Sequence, residues 1–286
     1  MLLYGTKGSN LFYSGRVNSI NILVTLNSGY LGPLCSMLRS LCHNNKGERI
    51  RLFVAHTSLT GEDLDKIRES LDAEFCELVD IKLPKDRFHG LPHSDRWPPE
   101  ACFRLFAAHF LPDDVDRLLY LDPDIIVLKP LTELYNIDLK GKYYAAATHM
   151  VGITKPISRW LVGLPRGALY VNSGVLLMDL DLLRKEQKDE DIYRYAKKNL
   201  RRLMLYDQDI LNGLYHDKIL YIDPLLYNLD DRYMTLYNLE TLNPKKKITH
   251  SWVLENTHIL HFCGKKKPWR EGYKGRFAAQ YKKYAE

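Results

Sequence analysis

Between Ile20 and Leu83 short β-branched runs alternate with segments of helical periodicity, and this alternation restricts the fold more than any other feature. Ile20-Asn-Ile-Leu-Val-Thr-Leu26 reads as a strand, and Asn27-Ser28-Gly29 as a turn. Leu34, Met37, Leu38 and Leu41 recur at helical spacing within Leu31–Leu41. Arg49–Ala55 is a second strand. Thr60, three residues before Asp63, opens a capped helix, and Cys76–Leu83 is a third strand. Strand–helix repetition of this kind predicts an α/β fold, a mostly parallel sheet flanked by helices. Ligands in such sheets bind beyond the carboxyl ends of the strands. A chain of 286 residues, 45% hydrophobic, is long enough for one large domain with a small appendage.

Further elements follow. His89–Pro99 is polar and proline-rich and reads as a loop over the pocket. Glu100–Phe110 reads as a helix carrying Arg104. Leu118–Leu121, Tyr143–Thr148 and Tyr170–Met178 read as strands, and Asp189–Leu205 and Gln208–Leu214 as helices. Beyond Leu226 the chain is irregular and polar as far as Ile259–Gly264. We divide the chain into a lead-in (1–19), a catalytic domain (20–268) and a basic, aromatic tail (269–286).

The strongest chemical signal is Tyr120-Leu-Asp-Pro-Asp124. Alternate residues of an extended chain face one side, so Asp122 and Asp124 can share a divalent cation. Pro123 stiffens the spacing by fixing its own φ and biasing Asp122 away from helical geometry. A second signal is His261-Phe-Cys-Gly-Lys-Lys-Lys-Pro-Trp269. His261 could add an imidazole to the cation. Gly264 lets the backbone approach an anion, and Lys265, Lys266 or Lys267 could neutralise a diphosphate. Two carboxylates and an imidazole suit Mn²⁺ better than Mg²⁺. A third is Tyr206-Asp-Gln-Asp209, where Asp207 or Gln208 either caps a helix or lines a pocket. In the fourth, Asn172-Ser-Gly174 interrupts an apolar strand and reads as a bulge, a close backbone approach or a sugar contact.

Composition excludes more than it identifies. Lys and Arg number 41 against 35 acids, a formal charge of +6, too small to argue for nucleic acid without a motif. Five irregularly spaced cysteines support neither a zinc ribbon nor a disulfide framework, which favours reduced cytoplasmic thiols. No segment reaches the roughly 18 apolar residues of a membrane span, and Met1–Ser9 lacks a signal-peptide core. Lys274, Arg276, Lys282 and Lys283, mixed with Tyr273, Phe277, Tyr281 and Tyr284, suit peripheral contact with an anionic membrane. The expectation is a cytoplasmic protein, able to rest on the inner face of the membrane.

Taken together, the segments from Leu23 to Trp269 resemble the family 8 retaining glycosyltransferases. These include the galactosyl- and glucosyltransferases of bacterial lipopolysaccharide and, more distantly, glycogenin. The resemblance implies the GT-A fold with a C-terminal helical appendage. It implies transfer of a galactose or glucose unit, with retention, from a UDP-sugar to a glycan or lipid-linked glycan. It assigns Asp122, Asp124 and His261 to Mn²⁺, with Mg²⁺ as the alternative, and Gly264 and Lys267 to the diphosphate. Thr25, Asn27 and Tyr30 match the uracil and ribose site, and Arg104, Asn172, Asp207 and Gln208 the donor-sugar site. The family usually has Asp where Asn27 stands. An amide oxygen can still accept the uracil N3–H, without the charge. Gln208 matches the residue nearest the reacting carbon but is a poor nucleophile. Front-face attack is therefore favoured over a covalent route through Asp207 or Asp209. A haloacid-dehalogenase-like phosphatase using Asp122, or an inactive nucleotide-sugar binding protein, are the rival readings. The phosphatase reading leaves His261–Trp269 unexplained.

Overall fold

The computed structural model describes residues 19–84, 86–88, 90–91, 98–149 and 162–285. All of the lead-in but residue 19, and most of the His89–Pro99 loop, lie outside them. Among the described residues, nine strands form two sheets. The larger has the order β3-β2-β1-β4-β7-β6-β8. Its strands are β1 (Ile20–Thr25), β2 (Ile50–His56), β3 (Cys76–Lys82), β4 (Arg117–Leu121), β6 (Tyr144–Thr148), β7 (Val171–Asp179) and β8 (Ile219–Ile222). The smaller sheet pairs β5 (Ile125–Val127) with β9 (Ile259–His261).

The alternating strand–helix half folds as its periodicity predicts. β1 pairs in parallel with β2 and β4, and β2 with β3. Successive side chains enter opposite cores. Ile22, Val24, Leu52 and Val54 pack with Leu34, Met37 and Leu38 of α1 (Leu31–Asn44). Leu23, Phe53 and Tyr120 pack on the other face with Phe103 and Phe106. Burying one such side chain fully contributes roughly 1.5–3 kcal/mol, which holds each strand in register. The helix α2 (Gly61–Glu69) opens with the expected capping box between Thr60 and Asp63.

The sheet is mostly parallel, as expected, with β7 running antiparallel between β4 and β6. An apolar run marks a strand but not its direction. Two other expectations are corrected. The Glu100–Phe110 segment is a 3₁₀ helix over Pro99–Phe106 followed by a short α-helical turn, Ala107–Phe110. Six of the eight 3₁₀ residues are buried, and runs of this tighter winding are usually short. The stretch beyond Leu226 contains helices the pattern did not reveal. These include Asp231–Glu240, capped by Asp230, and His250–Asn256, capped by Thr249.

The tail is also placed differently. Phe277, Tyr281 and Tyr284 are buried in a third core with Leu229, Met234 and Phe262. Lys274, Arg276, Lys282 and Lys283 remain exposed. The aromatic half of the expected membrane surface is therefore spent on internal packing. No helix of the described residues is long and apolar enough to cross a membrane.

Candidate active site

The carboxyl ends of β1 and β4 are neighbours, and the first residues of the antiparallel β7 reach the same edge, with Leu121 opposite Val175. Asp122 therefore emerges beside Asn172–Gly174, and its backbone N–H donates to the Gly174 carbonyl at 2.8 Å. The β5–β9 pairing sets Ile125 opposite His261, and the Phe262 N–H donates to the Asp124 carbonyl at 2.9 Å. Backbone pairing thus closes the 137-residue separation between Asp124 and His261.

The three side chains converge. His261 Nε2 lies 3.2 Å from Asp124 Oδ1 and 3.6 Å from Asp122 Oδ2, and the three donor atoms lie within 4.8 Å of one another. Each carboxylate's other oxygen is already held. Asp122 Oδ1 meets Arg104 Nη1 at 2.9 Å and accepts the Tyr120 hydroxyl at 2.7 Å. Asp124 Oδ2 pairs with Lys267 Nζ, which also donates to the Phe262 carbonyl at 3.0 Å. One oxygen of each acid and the imidazole Nε2 are left facing a common point. Oxygen, oxygen and nitrogen form a donor set that fits a divalent cation.

Electrostatics tighten the cluster. Burial alone would raise the Asp124 pKa, but His261 and Lys267 reverse this and hold it well below the usual carboxylate value. Burial pushes the His261 and Lys267 values down, and Asp124 more than offsets it, so both lie above their ordinary values. Asp207 shows the opposite balance. Burial raises its pKa despite Arg104 Nε at 3.3 Å and the Ser173 hydroxyl, which donates to it at 2.8 Å.

A chain of amides joins the cation ligands to the predicted sugar residues. His261 Nδ1 lies 2.9 Å from Asn228 Oδ1. Asn228 Nδ2 donates to Asn172 Oδ1 at 3.0 Å, and Asn172 Nδ2 donates to Gln208 Oε1 at 2.9 Å. This order leaves Nε2 to face the cation site, as outer hydrogen bonds do for metal-binding histidines. Sequence reasoning missed Asn228, Ser173 and Tyr120. Asn228 is fully buried, yet it sits in a stretch read as irregular, where no periodicity marks an inward residue. The Ser173 hydroxyl and the Tyr120 hydroxyl gain meaning only through Asp207 and Asp122.

The other predicted residues fall into place unevenly. Thr25 Oγ1 lies 3.2 Å from the Tyr120 hydroxyl. Asn27 Oδ1 caps the next turn by accepting the Gly29 N–H at 3.0 Å. Tyr30 meets Trp269 edge-on, with ring centroids 5.7 Å apart. Gly264 has φ +112°, in the left-handed region that favours glycine. Asp209 is otherwise committed: its carboxylate accepts Met204 N–H, Leu205 N–H and the Tyr170 hydroxyl. It pins the turn before the helix Tyr206–Tyr215.

Gly174 combines two of the roles expected for it. The β6–β7 register shifts between Ala146 and Thr148, marking a bulge nearby. A Cβ at position 174 would stand 2.3 Å from His261 Cε1 and 2.5 Å from Asp122 Oδ2. Two of the candidate cation ligands therefore occupy the space a side chain would need. Gly174→Ala is expected to fold and to bind a divalent cation about 10–100-fold more weakly, the range seen when ligands are misoriented. Calorimetric titration reads this directly, and unchanged affinity would refute the close-approach argument.

Known proteins resemble this chain over most of its length. Residues 21–272 match the model of the family described as "Glycosyl transferase family 8". General stress protein A of Bacillus subtilis is 23% identical over 93% of this chain and 92% of that protein. A lipopolysaccharide 1,2-glucosyltransferase of Escherichia coli is 24% identical over 88% of this chain and 74% of that one. The crystal structure of the galactosyltransferase LgtC with donor and acceptor sugar analogues superposes with a TM-score of 0.79 at 21% identity. That match covers 93% of this chain and 95% of that chain, and the shared fold is the GT-A fold.

Proposed function

Since the chain belongs to glycosyl transferase family 8, we propose that it moves a galactose or glucose unit, with retention, from a UDP-sugar to a glycan or lipid-linked glycan. The observation that carries this reading is the convergence of Asp122 Oδ2, Asp124 Oδ1 and His261 Nε2, each fixed from behind by a second partner. These residues would hold Mn²⁺, which when bound supplies positive charge to the diphosphate leaving group.

The protein's own groups do the rest. Lys267 stands against Asp124, where its ammonium can also reach a diphosphate oxygen, and Gly264 lets backbone approach the same group. Thr25, Asn27 and Tyr30 sit at the end of β1, where a uridine would enter. Arg104, Asn172, Asp207 and Gln208 surround the donor sugar. Gln208 Oε1 already accepts from Asn172 Nδ2 and from the Ser173 N–H at 3.2 Å. Its NH₂ lies toward the Tyr170 hydroxyl and is the end that would donate to a sugar. Asp209 has both oxygens engaged, by two backbone amides and Tyr170, and Asp207 is paired through Oδ2 with the Arg104 guanidinium and the Ser173 hydroxyl, which lowers its nucleophilicity. This favours front-face attack. The acceptor hydroxyl forms its new bond on the side the diphosphate leaves, and a diphosphate oxygen takes the hydroxyl proton. The phosphatase reading is weaker, since it gives His261 and Lys267 no role and the family match over residues 21–272 is to glycosyl transferases.

The test is a donor scan with UDP-galactose, UDP-glucose and UDP-N-acetylglucosamine, with and without Mn²⁺. We expect UDP release from one of the first two, lost on chelation. Phosphate release from a monoester without UDP release would favour the phosphatase. Binding of UDP-sugar without turnover in the presence of glycan acceptors would favour a binding protein.

A further inference from the structure

A second convergence lies directly beside the first, with His261 within 4.8 Å of two of its members, His149 and Cys263, while its own three groups have no role in the scheme above. His149 Nδ1 is 3.1 Å from Asp230 Oδ2 and 3.5 Å from Cys263 Sγ, and Cys263 Sγ is 3.3 Å from Asp230 Oδ2. The three come from separate segments: the end of β6, the cap of the Asp231–Glu240 helix and the turn after β9. Tetrahedral Zn²⁺ with nitrogen, oxygen and sulfur ligands at their usual bond lengths spaces those ligands roughly 3.3–3.6 Å apart. The observed triangle differs from this by only a few tenths of an ångström.

Each donor is oriented from behind, as in the first site. His149 Nε2 lies 2.7 Å from the Asn228 carbonyl. With Nε2–H donated there, a neutral imidazole turns its Nδ1 lone pair toward the other two groups. Asp230 Oδ1 accepts the Tyr233 N–H at 2.7 Å, leaving Oδ2 for the cluster. Two acceptors, His149 Nδ1 and Asp230 Oδ2, thus face each other with one thiol proton between them. Asp230 and Cys263 also line a cleft of about 1090 Å³, which gives access from solvent.

We propose that His149, Asp230 and Cys263 form a second cation site, distinct from the Asp122–Asp124–His261 set, that takes a thiophilic divalent ion such as Zn²⁺. Three protein ligands with a solvent molecule in the fourth position is a common zinc arrangement. Sulfur makes the site selective, because thiolate favours zinc over Mn²⁺ or Mg²⁺. The two sites are tied together, since Asn228 orients His261 through its side chain and His149 through its carbonyl.

Cobalt distinguishes the sites, because only the second contains sulfur. Titrating the reduced full chain with Co²⁺ should give a thiolate-to-cobalt charge-transfer band saturating at one equivalent and abolished by excess Zn²⁺. Cys263→Ser should lose the band. Asp230→Asn and His149→Gln should bind Co²⁺ about 10–100-fold more weakly, and folded Asp124→Asn should keep the band. No band in the wild type would overturn the proposal. So would an undiminished band in Cys263→Ser, which would point to Cys42 and Cys76, whose sulfurs are 3.5 Å apart. Loss of the band in folded Asp124→Asn would merge the two sites and refute their separation. If Cys263→Ser does not fold, wild-type affinity in both Asp230→Asn and His149→Gln overturns the proposal equally. UDP release is not among these readouts, so failure here leaves the transferase reading intact.

Discussion

Asp124→Asn is expected to lower kcat/KM for UDP-sugar turnover by at least about 10³-fold, the scale of a lost electrostatic stabiliser in a water-poor site. Asp124 is 6% exposed and serves two partners at once, His261 through Oδ1 and Lys267 through Oδ2. Asparagine keeps the shape and removes the charge. The cation loses one anionic ligand, and the buried Lys267 ammonium loses its counter-charge. More Mn²⁺ should not restore the rate, because the loss lies in stabilising the leaving diphosphate as well as in binding. The assay is UDP release over a range of Mn²⁺ concentrations, with far-ultraviolet circular dichroism to confirm folding. Wild-type rates in a folded Asp124→Asn protein would remove this residue from the cation site.

Arg104→Met is expected to destabilise the fold by about 3–5 kcal/mol, the usual consequence of leaving buried charges without a partner. Arg104 is 6% exposed. It reaches Asp122 at 2.9 Å, Asp207 at 3.3 Å, and the carbonyls of Ser173 and Ala101 at 2.8 Å each. It also covers the Tyr120 ring at 4.2 Å. Methionine preserves much of the apolar stem but leaves the buried Asp207 and the half-buried Asp122 without their shared counter-charge. Urea unfolding should show a lower midpoint with an unchanged slope. Arg104→Lys should recover only part of the loss, because an ammonium lacks the planar fork that serves several acceptors. A change below about 1 kcal/mol in Arg104→Met would mean the ion pairs contribute little beyond packing.

The legible part of the fold was the part with local periodicity. Ile20–Leu26, Leu31–Leu41 and Arg49–Ala55 declare themselves because each buries one face or both against its immediate neighbours. The Thr60–Asp63 cap was equally visible, being a four-residue interaction. The antiparallel β7 was not, since a run such as Val171–Asp179 is apolar whichever way it points. Asp231–Glu240 was hidden because it buries only Tyr233 and Met234 and shows little amphipathic pattern. The tail misled for a related reason. Tyr281 and Tyr284 alternate with lysines, which suits a membrane surface or a helix packed on one side, and only the position of the third core decides between them.

Sequence by itself determined the enzyme family and singled out Asp122, Asp124 and His261 as candidate cation ligands, because they stand in contiguous patterns whose chemistry is specific. Tertiary structure alone decided how those ligands are held. The antiparallel insertion of β7 puts Gly174 against Asp122 and His261, and β5–β9 pairing closes the long separation between acid and imidazole. Asn228 then orients His261 and His149 from a segment without any pattern of its own. Such roles depend on distances between residues far apart in the chain, and local periodicity carries no information about those distances.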